Sequence, residues 1–263
     1  MPPFTSFPQK APQPGAFLLF RLPHRYASWA FLFFAPFAVA EDVTVRKVLD
    51  GDSVVLADQR QVRLVGINAP EFGKDGKPDE PLAVAARDRL RGLVEGKAVR
   101  LVFEKEQRDR YDRWLAHLTL PDGTSVEEIL LKEGLAAVVA IPPNITQLAR
   151  HQAAEAQARK VRRGLWGHVY FEPVSAESLT PVQGGFRFVH GVVTHVGRSA
   201  KFVYLDVGPH FALRIAHTDW QKYFRGRAED WRGVRIVARG WISAQNGRLH
   251  MGIGHPAMLE RLP

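Results

Sequence analysis

The chain has 263 residues, enough for two modest domains, and its 46% hydrophobic and 24% charged residues are the proportions of a globular protein. It contains no cysteine, which excludes disulfide bonds, cysteine-ligated zinc and cysteine nucleophiles, and leaves hard cations as the expected metals. Residues 41–172 hold equal numbers of basic and acidic side chains, whereas residues 173–263 hold twelve Lys and Arg against six Asp and Glu, which indicates a polyanionic partner or, alternatively, only improves solubility.

The first forty residues have the pattern of a secretory signal peptide. They contain three basic residues and no acidic residue, then an apolar run over residues 27–39 that ends in small side chains. The run is too short to cross a bilayer about 30 Å thick. We predict cleavage after Ala40, a secreted or periplasmic protein, and no stable membrane insertion afterwards. An uncleaved anchor and a start codon chosen too far upstream are the alternatives.

Residues 48–71 predict a bent β-hairpin with charged side chains at one end. Asp50 and Asp52 are alternate residues of an extended chain, so they point to the same side. Because the second strand returns beside the first, polar residues just past its end can face the two aspartates. Oxygen ligands beside a guanidinium group suit a hard cation and a phosphate. The side chains expected at this site are Asp50, Asp52, Arg63, Asn68 and Glu71.

The following segments predict a small barrel with three helices, because apolar alternation marks the strands and glycines end the helices. Asp79 is expected to cap the first helix. The expected elements, in chain order, are a strand at 43–48, the hairpin, a loop at 72–79, a helix ending before Gly96, strands at 98–104 and 114–120, and helices at 126–133 and 146–163.

Four motifs occur in the order typical of one family. They are Asp50-Gly-Asp-Ser53, Arg63 with a Gly-Ile-Asn-Ala-Pro-Glu71 segment, Asp109-Arg-Tyr-Asp-Arg113, and Ala154-Glu-Ala-Gln-Ala158 followed by Gly164-Leu-Trp-Gly167. Over about residues 42–167 the chain therefore resembles the thermonuclease, or staphylococcal nuclease-like, family. The resemblance implies a five-stranded oligonucleotide-binding-type (OB-type) barrel with three helices.

The resemblance also implies a calcium site. Asp52 matches the family's direct calcium ligand, and Asp50 matches a carboxylate that acts through water. The family's second carboxylate ligand falls at Asn68, whose amide oxygen brings no charge, while the backbone carbonyl of Ala69 is still available. Because calcium affinity follows ligand charge, we expect binding weaker by ~10–100-fold.

The catalytic groups implied by the resemblance surround the same site. Arg63 and Arg113 match two guanidinium groups that hold the scissile phosphate, which their planar donor forks suit. Glu71 matches the carboxylate that orients or deprotonates the attacking water, and Tyr111 lies where the family places a tyrosine near the nucleotide. The implied reaction is calcium-dependent cleavage of DNA and RNA at the bond between phosphorus and the 5′ oxygen, leaving 3′ phosphates.

Two further positions depart from the family pattern. Asp112 stands where a glycine is usual, and its charge is expected to reorient Arg113. After Gly134, where family members carry tyrosines, the chain has the apolar run 135–143. Loss of these tyrosines removes stacking worth about 1–3 kcal/mol per base.

Residues 173–185 have the composition of a linker, and the segment after them predicts a second, smaller OB-like barrel. On its strand at 234–242, Arg235, Arg239 and Trp241 share the face opposite the apolar residues. Arginine with an exposed aromatic side chain is typical of nucleic-acid contact; packing of Trp241 against the first domain is the alternative. The expected strands are 186–196, 201–207, 211–216, 234–242 and 248–253, with a helical or irregular piece at 220–231.

The sequence thus predicts a mainly β protein with helices (α+β). Its parts are a signal peptide at 1–40, a nuclease-like domain at 41–172, a linker at 173–185 and a basic barrel at 186–263. The predicted function is an exported Ca2+-dependent nuclease of DNA and RNA that prefers single strands and is monomeric. Two alternatives remain open: a nucleic-acid-binding protein that does not cut, favoured by Asn68 and Asp112, and an envelope protein whose basic segment docks a protein partner.

Overall fold

Two β-barrels follow one another along the chain in this computed structural model, which describes residues 40–74, 76–180, 184–245 and 247–263. The predicted signal peptide therefore lies outside the described residues, except for Ala40. Across these ranges no helix has both the length and the apolar character needed to pass through a membrane.

The first barrel closes in the order β1-β2-β3-β6-β5. All neighbouring strands are antiparallel except β3 and β6, which are parallel. A short ladder of β4 and β7 and three helices complete the domain. The elements are β1 (Ala40–Val48), β2 (Ser53–Leu56), β3 (Gln61–Leu64), β4 (Ile67–Asn68), α1 (Ala83–Val94), β5 (Ala98–Arg108), β6 (Trp114–Thr119), α2 (Val126–Lys132), β7 (Ala137–Val138) and α3 (Leu148–Lys160).

The first turns of α1 and α2 differ in whether a side chain caps them. Ser125 caps α2 by accepting a hydrogen bond from the Glu128 N–H. The predicted cap of α1 was wrong: α1 begins after Leu82 without a side-chain cap, and Asp79 instead accepts a hydrogen bond from the Gly73 N–H at 2.9 Å. Asp79 therefore closes the preceding loop.

The second barrel repeats the strand order of the first. Strands β9-β10-β11-β13-β12 close into a ring in which only β11 and β13 are parallel, and β8 and β14 extend the sheet. The predicted second OB-like barrel is thus confirmed. Its elements are β8 (Val174–Ser175), β9 (Gly185–Arg198), β10 (Phe202–Val207), β11 (Phe211–Ala216), α4 (His217–Tyr223), β12 (Arg235–Gln245), β13 (Arg248–Gly252) and β14 (Leu259–Arg261).

The segment predicted as a linker is part of the second barrel where it is described. Strand β8 pairs with β9, with Val174 opposite Val189. Ala176 and Leu179 are buried in the core of that barrel. The sequence of this segment resembles a linker because its strand is only two residues long, whereas burial of two apolar side chains fixes it in place.

The two barrels share a buried interface. Val139 and Ala140, which precede α3, belong to the same apolar core as the second barrel. The Ala140 N–H lies 3.2 Å from the Met258 sulfur. Beside them Arg239 of β12 forms a salt bridge of 2.8 Å with Glu155 of α3. The barrels are therefore joined by both apolar packing and a buried ion pair.

Candidate active site

The turn between β1 and β2 places two aspartates beside the end of β4. Only glycine fits between them, because a Cβ on Gly51 would lie 2.5 Å from the Ala69 Cβ and 2.7 Å from that of Ala86. This close approach explains the Asp-Gly-Asp sequence. It also brings the Asp52 carboxylate against the Ala69 backbone, while Asp50 accepts a hydrogen bond from the Asp52 N–H at 3.0 Å.

Asp52 is the buried centre of the site, with 3% of its surface exposed. Its Oδ2 atom accepts a hydrogen bond from the Ala69 N–H at 2.7 Å and lies 3.0 Å from Nη2 of Arg63. Its Oδ1 atom accepts one from the Ser53 hydroxyl at 3.1 Å. Burial raises the pKa of Asp52 to about 7, although the charge of Arg63 opposes this shift.

Arg63 and Asn68 lie next to this carboxylate. Arg63 is held by β3 and donates to the Leu64 carbonyl at 2.7 Å and to the Asn68 Oδ1 atom at 3.2 Å. The Asn68 amide donates in turn to the Ala69 carbonyl at 3.3 Å. An amide oxygen and a main-chain carbonyl oxygen are thus gathered beside Asp52, as expected from the sequence.

Glu71 completes the cluster on its solvent side. Burial raises the pKa of its carboxyl, and the nearby Asp50 charge raises it further, whereas Arg63 lowers it. Its N–H donates to Glu80 at 3.0 Å. The structure therefore brings together six predicted residues, which we call the Asp52 cluster: Asp50, Asp52, Arg63, Asn68, Ala69 and Glu71.

Arg113 does not join this cluster. Its backbone N–H and its Nε both donate to Asp109, at 3.0 and 2.8 Å, so Asp109 holds the side chain at the 109–113 turn. Tyr111, also predicted near the nucleotide, is 65% exposed, and its ring lies 5.7 Å from the Arg113 Cζ atom. The effect predicted for Asp112 was wrong, because Asp112 pairs with Arg108 at 2.6 Å.

The left-handed backbone at Asp112, with φ of 63°, explains why glycine suits that position. An aspartate tolerates this conformation better than most side chains do.

The Asp52 cluster has the donor set of a hard-cation site. Two carboxylates, an amide oxygen and a main-chain carbonyl lie at one place, and all four are oxygen ligands that calcium prefers. The residues that would hold the ion are Asp50, Asp52, Asn68 and Ala69.

A second group of possible ligands is buried elsewhere in the first barrel. Ligand atoms of His117, Glu127 and His151 lie within 4.8 Å of one another. A Cβ on Gly66 would lie only 2.4 Å from Nδ1 of His151, so the Gly66 backbone packs directly against the His151 ring. Burial lowers the pKa of His117, but the nearby carboxylates of Glu104, at 3.1 Å, and Glu127, at 3.8 Å, outweigh it and raise the pKa to about 9. His117 is therefore a buried cation between two carboxylates.

The three residues predicted to bind nucleic acid on β12 have different environments. Arg235 is exposed, and Trp241 is 41% exposed with its ring 5.1 Å from that of Phe186. Arg239 was misassigned: it is 5% exposed and pairs with Glu155 at the interface between the barrels. A guanidinium enclosed in this way has no face for a polynucleotide.

Sequence reasoning missed a contact between the second barrel and the loop after Glu71. Glu80 accepts hydrogen bonds from Nη1 of Arg187 and from the Tyr170 hydroxyl, both at 3.1 Å. Arg187 precedes the buried part of β9, 107 residues from Glu80. No local pattern indicates such a contact, because only the packing of the two barrels creates it.

Comparison with known proteins agrees with this geometry. The profile of the family described as Staphylococcal nuclease homologue matches residues 61–168. The thermonuclease of Staphylococcus hyicus is 32% identical over 127 residues, which cover 47% of this chain and 75% of that protein. The thermonuclease of Staphylococcus intermedius is 32% identical over 129 residues, covering 48% of this chain and 76% of that protein.

A Bacillus subtilis protein named SPbeta prophage-derived endonuclease YokF is 34% identical over 130 residues, covering 48% of this chain and 44% of that protein. The residues matched by the family profile belong to the first barrel and the segments that pack on it. The chain belongs to the staphylococcal nuclease homologue family, a family of nucleases.

Proposed function

We propose that the protein is a calcium-assisted nuclease that hydrolyses phosphodiester bonds of DNA and RNA and leaves 3′-phosphate ends. The observation that carries this proposal is the Asp52 cluster, in which oxygen ligands, the Arg63 guanidinium and the Glu71 carboxyl meet at one edge of the first barrel. Family membership supports the reaction class and the use of a metal ion.

Each group of the cluster has a role in this reaction. Glu71 accepts a proton from the attacking water, a role that its raised pKa favours because a stronger base takes the proton more readily. The water oxygen bonds to phosphorus as the bond to the 5′ oxygen breaks, and the 5′ oxygen leaves as a hydroxyl by taking a proton from solvent water. Arg63 donates to the phosphate oxygens, on which negative charge builds. Calcium, when bound, neutralises charge on the same phosphate.

Arg113 is the second phosphate-binding guanidinium of the proposal. Its Nε atom is bound to Asp109, and the N–H groups on its two Nη atoms are the donors that would contact the phosphate. The Arg113 side chain is 30% exposed, which leaves it room to do so. Tyr111, exposed beside it, provides a ring for the adjacent base.

The remaining parts of the proposal concern partners and location. The basic second barrel supplies additional nucleic-acid binding, with single strands preferred, and the protein acts as a monomer. The amino-terminal pattern of basic residues, apolar run and small residues supports export to the periplasm or the medium.

The decisive experiment is a cleavage assay with single-stranded DNA in calcium, with and without chelator. We expect chelator-sensitive cleavage that Glu71→Gln slows by about 100-fold or more, in line with loss of a general base. A 3′-phosphate end can be extended only after a phosphatase has removed the phosphate. Extension of the products with and without phosphatase therefore identifies their ends. If the unchanged protein cleaves no faster than Glu71→Gln at any calcium concentration, the proposal that it is a nuclease is rejected.

A family member that binds without cutting is the second candidate. Two observations favour it: Asn68 brings no charge to the metal site, and Arg113 is held by Asp109. The same assay separates the two, because this candidate predicts binding without chelator-sensitive products.

A further inference from the structure

The outer face of the second barrel carries half-buried aromatic and basic side chains. Along β10 the alternate residues Val203 and Leu205 are fully buried in the barrel core. Because side chains alternate along a strand, Phe202 and Tyr204 point outward. On β11 and β13 the outward positions include Arg214 and His250.

The outward side chains touch one another across the strands. The Phe202 and Tyr204 ring centroids lie 6.2 Å apart, and those of Tyr204 and His250 lie 6.1 Å apart. The Arg214 Cζ atom lies 4.8 Å from the centre of the Phe202 ring. Arg248 follows on the same face of β13. We call this set the Tyr204 face: Phe202, Tyr204, Arg214, Arg248 and His250.

Small residues flank the centre of the Tyr204 face. Tyr204 pairs across the sheet with Arg214. On the far side of each strand, Gly197 is opposite Tyr204 and Gly252 is opposite Arg214. Neither glycine has a side chain that could cover the ring or the guanidinium from its flank. The face is therefore a shallow surface with a ring and a cation at its centre.

Charge on the Tyr204 face favours an anionic partner. Arg214 bonds to the uncharged Gln245 side chain at 3.3 Å, so this contact leaves its charge unneutralised. Arg248 pairs with Asp206 at 2.8 Å. The barrel around the face carries twice as many basic as acidic residues over 173–263.

We propose that the Tyr204 face binds single-stranded nucleic acid, with bases stacked on Tyr204 and Phe202 and a phosphate on Arg214. This inference rests on the proposed function, in which the second barrel binds nucleic acid, and it identifies the surface that makes the contact. A base within a duplex already stacks on two neighbours and has no free face, whereas an unpaired base does. The second and third strands of OB barrels, here β10 and β11, are a general location for such contacts.

The test measures binding of a fluorescein-labelled oligothymidylate of twenty nucleotides to the full-length protein in chelator, which stops calcium-dependent cleavage. We expect Tyr204→Ala to weaken binding by roughly 5- to 100-fold, the range for one stacked base, and Tyr204→Phe to retain it. Arg214→Gln should weaken binding and reduce the slope of log affinity against log salt by about 0.7.

Arg227→Ala, which removes a 77% exposed arginine of the second barrel that lies outside the Tyr204 face, is the matched control, and it should bind as the unchanged protein does. Loss of affinity in this control alone, or unchanged affinity in both Tyr204→Ala and Arg214→Gln, would overturn the proposal. Equal affinity of the unchanged protein for a blunt duplex of the same length would also overturn it.

Thermal unfolding of each variant identifies any that are misfolded, in which case Tyr204→Leu replaces Tyr204→Ala. Hydrolysis of a dinucleotide, too short to reach a second site, reports on the Asp52 cluster separately. We expect the rate of dinucleotide hydrolysis to be unchanged in Tyr204→Ala. Failure of the nuclease proposal would appear in the dinucleotide assay, whereas failure of the Tyr204 face would appear in the binding assay.

Discussion

Arg187 of the second barrel forms a salt bridge of 3.1 Å with Glu80, on the loop that leads away from the catalytic candidate Glu71. The other oxygen of Glu80 accepts a hydrogen bond from the Glu71 N–H at 3.0 Å. Tyr170 bonds to both members of the pair. One carboxylate thus connects the second barrel to the backbone of the active site.

We expect Arg187→Ala to lower kcat by roughly 10-fold, because small displacements of a catalytic group reduce the rate strongly. KM should change less, since Arg187 does not belong to the Asp52 cluster. Steady-state kinetics on single-stranded DNA would measure both. Arg187→Lys, which keeps the charge, should recover part of the rate.

The control for this variant is Arg198→Ala, which breaks a salt bridge of 2.8 Å with Glu229 elsewhere on the same barrel. Its kinetics should match those of the unchanged protein. If both variants lose the same activity, the effect of Arg187 is one of general stability and the link through Glu80 has no catalytic role.

Asn68→Asp should lower the calcium concentration needed for half-maximal rate by ~10–100-fold, since it restores a charged ligand beside Asp52. Calcium titration of the cleavage rate measures this change. Without calcium the variant should be less stable than the parent, because it adds a third carboxylate to Asp50 and Asp52. An unaltered calcium requirement would mean that position 68 does not contact the ion.

His117 should make stability depend on alkaline pH. Its folded pKa of about 9 exceeds the usual value of 6.5. The stabilisation is therefore complete below about pH 6.5 and is lost as pH rises through 9, up to about 3 kcal/mol. Urea unfolding of His117→Gln should lack most of this dependence between pH 6.5 and 9. Burial lowers the pKa of the neighbouring His151, so this residue adds nothing in that range. His195→Gln, at an exposed histidine, is the control.

Arg239→Met should destabilise the folded chain by about 3–5 kcal/mol, because it leaves the buried Glu155 carboxylate without its partner. Adding Glu155→Gln should recover part of this loss, since a glutamine oxygen can still accept the hydrogen bond from the Val138 N–H. Urea denaturation measures both free energies of unfolding. Arg235→Met, on the exposed side of β12, should cost far less, and equal losses at the two positions would contradict the role of the ion pair.

Much of the fold was predictable because its signals are local. Apolar residues alternate along β10 and β12, and glycines follow α2 and α3. Both signals lie within a few residues of the elements that they mark, so the sequence was sufficient to predict both barrels. The cap of α1 was not predictable in this way, since Asp79 accepts a hydrogen bond from the Gly73 N–H instead, and α1 begins without a side-chain cap.

In the candidate site, too, contacts between residues close in sequence were predictable and contacts between distant residues were not. Asp50, Asp52 and Glu71 come together through one hairpin, so their spacing was informative. For Arg239 the alternation predicts the correct face of β12 but not what covers it, because Glu155 lies 84 residues away on α3. Contacts of that separation follow from the docking of two folded units, which residue spacing does not encode.

The shared core of Val139 and Ala140 bears on how the protein can be dissected. A chain cut after residue 172 would lose the side chains that cover these two residues, and Glu155 would lose Arg239. We expect such a fragment to aggregate or to refold poorly, since apolar surface that is now buried would meet water. Loss of activity on truncation would then follow from loss of the shared core and would not by itself reveal a substrate-binding role.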